Sequence, residues 1–356
     1  MVQGKRPPTM VDVARAAGVA HITVSRVVND EPTVRPETRD RVLRVIAELG
    51  YRRNDSARML KSGRSTMLGV VLAGSELFEL PRMLLGIEQA AKDAGHWVSL
   101  ASWQGGTHEG LEQCLGRLVG QGAAGVAVIA DRPLALEALL RTVARVPISV
   151  VMSGNVANPA IGSVELDQEE GARLATRHLL DLGHRDIVHL SGRMGAFDAR
   201  ARVDGWRSEL RAAGIAEPRV LHGDFTAQSG HALTTELIDG GRVPTAIFAG
   251  NDQMAIGVLS ALAARGFSVP GDVSLVGFDD MAGAEYLVPA LTTVRQDFVT
   301  LGRLSIEVLL DLIGGGAASH HLLSPTLIVR ASTAPLTARR TGRRGTSAGR
   351  RPPAPR

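Results

Sequence analysis

Residues 9–51 read TMVDVARAAGVAHITVSRVVNDEPTVRPETRDRVLRVIAELGY, and the spacing of their apolar residues gives three helices. Thr9 precedes Met10, Val13, Ala14 and Ala17, an i, i+3, i+4, i+7 series that forms one apolar helix face. Thr9 and Asp12 have the spacing of a capping box, and Gly18 suits a left-handed C-cap. Only Val19 and Ala20 separate that helix from a second pattern, His21–Asn29. Its apolar face carries Val24, Val27 and Val28, and its other face carries His21, Ile22, Ser25, Arg26 and Asn29. A third helix starts at Pro36, a good first-turn residue. It is expected to bury Val42, Val45, Ile46 and Leu49, to stop at Gly50, and to carry Glu37–Arg41 and Asp40–Arg44 as i, i+4 ion pairs.

Two helices joined by a tight glycine turn, with a third closing the core, make a helix-turn-helix unit. In such a unit the second helix enters the DNA major groove and its early residues touch base edges. Arg26 can donate twice to guanine, His21 can donate to an acceptor, and Ile22 can meet a thymine methyl. Thr23, Ser25, Asn29 and Thr38 are short polar groups suited to phosphates, which fix register rather than sequence. The competing reading is a small helical bundle with a protein partner; the local charge argues against it. Residues 1–66 hold 13 Lys and Arg against 7 Asp and Glu, a net +6. Residues 337–356 hold 7 Arg and no acid, while residues 67–336 hold 20 bases against 29 acids, a net −9. A basic head on an acidic body points to a polyanion at the head alone. The tail TARRTGRRGTSAGRRPPAPR has neither periodicity nor leucine heptads and is expected to be disordered.

From Val11 to Ser65 the chain resembles the head of the LacI/GalR family of bacterial transcription regulators. The marks are DVA, AGV, TVSRVVN, the ETR…RV helix ending in ELGY, and an N…AR.L.SGR segment. The resemblance implies that the segment after Tyr51 becomes a hinge helix on DNA, with Leu60 matching a leucine wedge inserted in the minor groove. Asn54, Ala57 and Arg58 match hinge positions near backbone and groove, and Thr9 and Tyr51 complete the expected contact set. Two departures stand out. Ala20 replaces the usual Ser N-cap, which weakens the recognition-helix start by about 1 kcal/mol. Ile22 is less informative than a polar reader, so the operator sequence is not legible.

After Ser65 the pattern alternates between strands and helices. Strands are expected at Leu68–Ala73, Val98–Ser102, Val126–Ala130, Ile148–Met152, Ile187–Leu190, Ala246–Ala249, Ser274–Phe278 and Thr326–Val329. Helices, among others, are expected at Pro81–Ala94, Gly110–Gly120, Glu170–Leu182, Arg200–Ala213 and Gln253–Ala264. Alternation of this kind makes parallel sheets covered on both faces, and about 270 residues is too much for one sheet, so two lobes are expected. Ligands of such sheets sit beyond the carboxyl ends of the strands. That rule selects Arg193, the pair Asn251–Asp252 and the pair Asp279–Asp280, although each acid or amide alone is equally a helix N-cap.

The stretches VELDQEEGARLATRHLLDLGHRDIVHLSG (164–192), PTAIFAGNDQMAIGVLSALAARGFSVPGDVSLVGFDD (244–280) and LTTVRQDFVTLG (291–302) are similar to the effector domain of the same family. That domain in turn resembles periplasmic sugar-binding proteins. By position, Arg202, Asn251 and Asp279 match ligand-contacting residues, Phe225 matches an aromatic that stacks on the ligand, and Gln296 matches a position near the lobe crossover. The first lobe departs more: Met152 and Ser153 stand where many relatives have Asp, and the loop GSELFELPR is atypical. Glu76, Phe78 or Asp131 are candidate replacements there.

The expected architecture is therefore a small all-α helix-turn-helix domain (1–51), a hinge (52–66), and a two-lobed α/β effector and dimerisation domain with parallel sheets (67–336). Lobe 1 is read as about 67–165 and 297–325, lobe 2 as about 166–296 and 326–336, with a basic tail from 337. The expected function is a sequence-specific repressor, a homodimer on a pseudo-palindromic operator of double-stranded DNA, controlled by a small effector with a sugar as leading class. A nucleobase or phosphorylated metabolite stays open, as do an effector-independent regulator and a sugar-binding transport protein. A basic start without an apolar stretch gives no expectation of a secretory signal peptide, and no apolar run approaches the roughly 18 residues of a spanning helix. The expected setting is the cytoplasm, at the nucleoid when on DNA. Cys114 is the sole cysteine and excludes an internal disulfide. His178, His184 and His189 share no helix face, and His320–His321 lack further ligands. No metal, cofactor or catalytic constellation is expected, and hence no enzyme.

Overall fold

The computed structural model describes residues 6, 8–51, 65–73, 79–103, 108–131, 135, 137, 139, 146–154, 158, 160–216 and 219–336. The chain separates into two compact units, Met1–Ser65 and Thr66–Arg356. The tail from 337 and the hinge candidates Asn54, Ala57, Arg58 and Leu60 lie outside the described residues, as do Glu76 and Phe78.

In the first unit, α1 (Met10–Ala17), α2 (His21–Val28) and α3 (Pro36–Leu49) surround a core of Val13, Ala14, Ala17, Val24, Val27 and Val42. The capping box closes α1: Asp12 N–H donates to Thr9 Oγ1, and the Asp12 carboxylate accepts from the Thr9 amide at 2.8 Å and hydroxyl at 2.6 Å. Those bonds, the hydroxyl's first, hold Asp12 below the usual carboxylate range. Gly18 and Gly50 both end helices at φ 63°, the left-handed region that a Cβ disfavours. Ala20 gives α2 no side-chain cap. One expectation is corrected. Leu49 is 40% exposed, because the end of α3 is packed on the head's core by Val45, Ile46 and Tyr51 instead. Among the described residues α3 is tied by Arg39, which bonds the Asp30 carboxylate and the Glu31 carbonyl, rather than by Glu37–Arg41 or Asp40–Arg44.

The second unit is built from two six-stranded sheets among the described residues. The first contains β1 (Met67–Ala73), β2 (Trp97–Ser102), β3 (Gly125–Ala130), β4 (Ile148–Val151), β5 (Ile161–Leu166) and β11 (His320–Leu323), in the order β11-β5-β4-β3-β1-β2. The second contains β6 (Ile187–Ser191), β7 (Val220–His222), β8 (Ala246–Ala249), β9 (Ser274–Asp279), β10 (Thr292–Arg295) and β12 (Thr326–Ile328), in the order β12-β10-β9-β8-β6-β7. All pairings are parallel except β10 with β12. Helices α4 (Leu80–Asp93), α5 (His108–Gly120) and α10 (Phe298–Ile313) flank the first sheet. Helices α6 (Gln168–Asp181), α7 (Phe197–Ala212), α8 (Ala227–Asp239) and α9 (Asp252–Ala264) flank the second.

Central strands such as β3 are apolar on both faces, as parallel sheets require. The four strands missing from the sequence reading lack that signal. β7 has three residues and β11 is an exposed edge containing two histidines. β5 mixes polar and apolar residues, and β10 buries Thr292 and Thr293 because their hydroxyls bond inward, Thr293 to Asp252 at 2.6 Å.

The chain passes between sheets three times: at Asp167 between β5 and α6, at Gln296–Asp297 between β10 and α10, and between β11 and β12. The first and third passages are joined by Asp167 N–H donating to the Leu323 carbonyl at 2.9 Å. Helices α4 and α10 touch backbone to backbone through reciprocal glycines. A Cβ on Gly86 would lie 2.0 Å from the Val299 carbonyl, and one on Gly302 would lie 2.1 Å from that of Met83. Neither oxygen can retreat without moving a helix. Gly302→Ala is therefore expected to destabilise the second unit by about 1–3 kcal/mol, read as an earlier thermal transition. Gly116→Ala, in α5 with open space at the Cβ position, should be neutral or stabilising by up to about 1 kcal/mol. Equal effects of the two substitutions would contradict this packing.

Candidate functional site

The head presents its candidate readers on one face. His21, Ile22, Arg26 and Asn29 are exposed on α2 while Val24 and Val27 point inward; Ile22 is 54% exposed. Thr23, Ser25 and Thr38 are half-buried, and so are Thr9, occupied as a cap, and Tyr51, packed on the head's core. Arg26 Nε lies 3.6 Å from Glu31, with both groups solvated. Exposed pairs of that kind contribute about 0–1 kcal/mol, so a DNA acceptor can displace Glu31.

The second unit holds an open cleft between its two lobes. Arg202, Phe225, Asn251 and Asp279 line it together with Arg193. Each is placed by a strand end or a helix start. Asn251 caps α9: its Oδ1 accepts from Met254 N–H at 2.9 Å, and its Nδ2 donates to the Phe225 carbonyl at 3.1 Å. Phe225 sits at φ 73° and Asp279 at φ 103°, and backbone in these sparsely populated regions persists only where surrounding bonds impose it. Gly192 lets the Phe225 ring lie on the β6 end, for a Cβ there would meet the ring at 2.0 Å.

Arg202 is almost fully buried on α7 and its guanidinium lies 3.9 Å from the Phe278 ring centroid. It donates to the Gly250 carbonyl, to Gln168 Oε1 at 2.9 Å and to Asp279 Oδ1 at 3.4 Å. Gln296 does not line the cleft. It stands behind Asp279, donating to Oδ1 at 2.6 Å and accepting from Gln168 Nε2 at 2.7 Å. Burial pushes the Asp279 carboxyl up to about 7, against the opposing pull of Arg202.

The strand-end rule separates within each doublet. Asn251 and Asp279 face the cleft, whereas their neighbours brace lobe 2. Asp252 accepts from Met281 N–H at 2.8 Å and from the Thr293 hydroxyl. Asp280 is held below the usual carboxylate range, against its own burial, by bonds from Arg295 and Arg330. Lobe 1 and the α7 start add groups that the sequence did not single out: Glu79, Leu80, Met83, Ala196, Asp198 and Phe298. Asp131, a sequence candidate, lines the cleft, and its carbonyl accepts from Phe197 N–H at 3.0 Å across the lobes. Ser153, at the atypical strand end, bonds Asp198 across the same gap. Asp198 lies before the helix expected at Arg200–Ala213 and carried no ligand signal; the structure starts α7 at Phe197 and makes Asp198 a first-turn acid.

The histidines set aside as metal ligands have separate structural bonds. His178 meets the Thr333 hydroxyl, His184 the Ala334 carbonyl, and His189 the Phe248 carbonyl. Among the described residues no helix is long and apolar enough to cross a membrane.

Comparison with known proteins agrees with this geometry. A family described as bacterial regulatory proteins, lacI family, matches residues 9–54, and a periplasmic binding protein-like domain matches residues 176–333. The lactose operon repressor of Escherichia coli (strain K12) is 34% identical over 92% of this chain and 91% of its own length. The chain belongs to the lacI family of bacterial regulatory proteins. Another lacI relative, the HTH-type transcriptional regulator CelR of Thermobifida fusca, is 35% identical over 88% of this chain and 94% of its own. A crystal structure of the lac repressor dimer bound to operator and the anti-inducer ONPF matches with a TM-score of 0.84 at 32% identity, covering 92% of this chain and all of that one. The two lobes with parallel sheets are thus the fold of the lacI family.

Burial, with Asp279 nearby, pushes Asp252 up to about 8. An unfolded chain ionises this group near pH 4, so between those values the folded state binds the extra proton and stability falls as pH rises. His178, His184 and His189, held below their ordinary pKa by full or partial burial, act oppositely, but only where unfolded histidines protonate, below about pH 6.5. From pH 6.5 to 8 stability should therefore fall, at up to about 1.4 kcal/mol per pH unit for each proton, with Asp279 contributing only over the lower part of that range. Asp252→Asn should reduce the slope, most of all above about pH 7, and an unchanged slope there would contradict the assignment.

Proposed function

We propose that the chain is a transcriptional repressor that binds a pseudo-palindromic operator as a homodimer and releases it when an uncharged, hydroxyl-rich effector occupies the cleft. The observation that carries the reading is the convergence of Arg202, Asp279, Asn251 and Phe225 beyond the carboxyl ends of the lobe 2 strands. Guanidinium, carboxylate and amide can bond adjacent hydroxyls, and an aromatic face covers the C–H side of a sugar ring. The cleft lining holds four carboxylates, Glu79, Asp131, Asp198 and Asp279, against two guanidiniums, Arg193 and Arg202. A phosphorylated ligand would meet that acid excess unfavourably, which favours a neutral sugar. The relative whose structure is a CelR–cellobiose complex points the same way.

Homodimerisation follows from the head, which reads only a half-site. The expected setting is the cytoplasm, at the nucleoid when on DNA, and the protein acts by binding rather than by catalysis. The effector acts by linkage: it lowers operator affinity only by binding more tightly to the state with misplaced heads.

Operator binding measured with and without the neutral sugar that stabilises the protein tests both halves. Arg202→Ala should abolish release by sugar, and undiminished release in that variant would remove the site assignment. Arg26→Ala should cost about 1–3 kcal/mol on the specific operator and little on random DNA. Equal losses on both would reduce Arg26 to a phosphate contact.

A further inference from the structure

Four buried side chains close a ring beneath the cleft floor. Arg202 Nε donates to Gln168 Oε1 at 2.9 Å, Gln168 Nε2 to Gln296 Oε1 at 2.7 Å, and Gln296 Nε2 to Asp279 Oδ1 at 2.6 Å. The fourth side runs from Arg202 Nη2 to the same oxygen of Asp279 at 3.4 Å. The four residues are 4%, 5%, 1% and 9% exposed for Arg202, Gln168, Gln296 and Asp279. The ring has one polarity. A guanidinium has no acceptor, so Gln168 meets Arg202 with its oxygen and Gln296 with its nitrogen, and Gln296 in turn donates to Asp279. A flip of either amide would set two N–H groups or two oxygens against each other in a buried site.

The ring joins two kinds of place. Arg202 and Asp279 line the cleft, and Gln168 and Gln296 do not. Gln168 is the first residue of α6, one step past the first passage between lobes, and Gln296 lies in the second passage. The neighbour of Gln168, Asp167, is bonded by its amide to Leu323 at the third passage. Any rotation of one lobe on the other must be taken up at these passages, because no other covalent link joins the two sheets among the described residues.

We propose that Gln168 is a positioning residue that transmits the state of the cleft to the interlobe passages through its bond to Gln296. A shift of Arg202 or Asp279 must carry Gln168 and Gln296 along or break a buried hydrogen bond. The idea deepens the proposed effector control and gives that control a route, but its test uses no effector.

The probe is a small change in the cleft, Asp279→Asn, read by hydrogen exchange of full-length protein in peptides spanning 165–170 and 294–299. In the wild-type background this change should alter exchange in both peptides by at least about threefold, as expected for coupling within one bonded network. In Gln168→Met and Gln296→Met backgrounds, which remove the two ends of one bond, the effect should shrink to less than about 1.5-fold. Combining Gln168→Met with Gln296→Met should add nothing further. A merely structural glutamine would lower the melting temperature and leave the response to Asp279→Asn intact, and that result would overturn the proposal. If one methionine variant fails to fold, the other still decides. A blank in an effector screen would remove the proposed ligand without touching this test.

Discussion

The body of this protein is organised by the burial of one guanidinium. Arg202 cannot lose its proton, and a charge removed from water is tolerated only with bonds and a counter-charge supplied around it. Phe278 supplies a ring face, Gly250 a carbonyl, Gln168 an amide oxygen and Asp279 a carboxylate. Each partner ends a strand or opens a helix, so satisfying Arg202 sets the positions of β8, β9 and the α6 start together. Asp279 in turn holds a backbone conformation that an isolated chain would avoid, with Gln296 and Arg202 bonded to its carboxylate. The cleft is the surface left above this set of bonds.

The head answers a different constraint with fewer residues. Its core consists of small and β-branched side chains, and the capping box on α1 and the left-handed glycines at 18 and 50 fix where the helices begin and end. With so little buried area, the valines of α2 are spent inward. Arg26, His21, Ile22 and Asn29 are then exposed on the same helix. With no side-chain cap at Ala20, the α2 start is held by tertiary packing and by the Thr23 and Val24 N–H groups on the Ala20 carbonyl.

Two helices of the head were legible because each carries its own punctuation, Thr9–Asp12 and Gly18 for α1 and Pro36 and Gly50 for α3, and α2 because its valines keep the helical period. The misplaced residue, Leu49, obeys the helical period, but Ile46 and Tyr51 take the core contact at the end of α3, a choice that periodicity does not express. Central strands announced themselves as apolar runs. β10 did not, because its threonines exchange hydroxyl bonds with Asp252 and Thr333 inside the lobe. In the cleft, strand ends pointed to Asn251 and Asp279 but could not separate them from Asp252 and Asp280, since only the fold reveals which side chain turns inward. Lobe 1 contributors such as Glu79 and Phe298 carry no local signal, because they reach the cleft from a helix start and from a passage between lobes. The ring through Gln168 joins residues more than a hundred positions apart, and nothing in the spacing of a single chain encodes it.

The central claim is that the cleft takes an uncharged hydroxyl-rich molecule. Thermal unfolding of the full-length protein, measured against neutral mono- and disaccharides and against their phosphorylated counterparts, tests it most directly. A ligand at about a hundred times its dissociation constant adds roughly 2.7 kcal/mol of stability. The account predicts such a shift from a neutral sugar and a smaller one, or none, from its phosphate. Stabilisation by the phosphorylated form alone, or by nothing in the series, would contradict it.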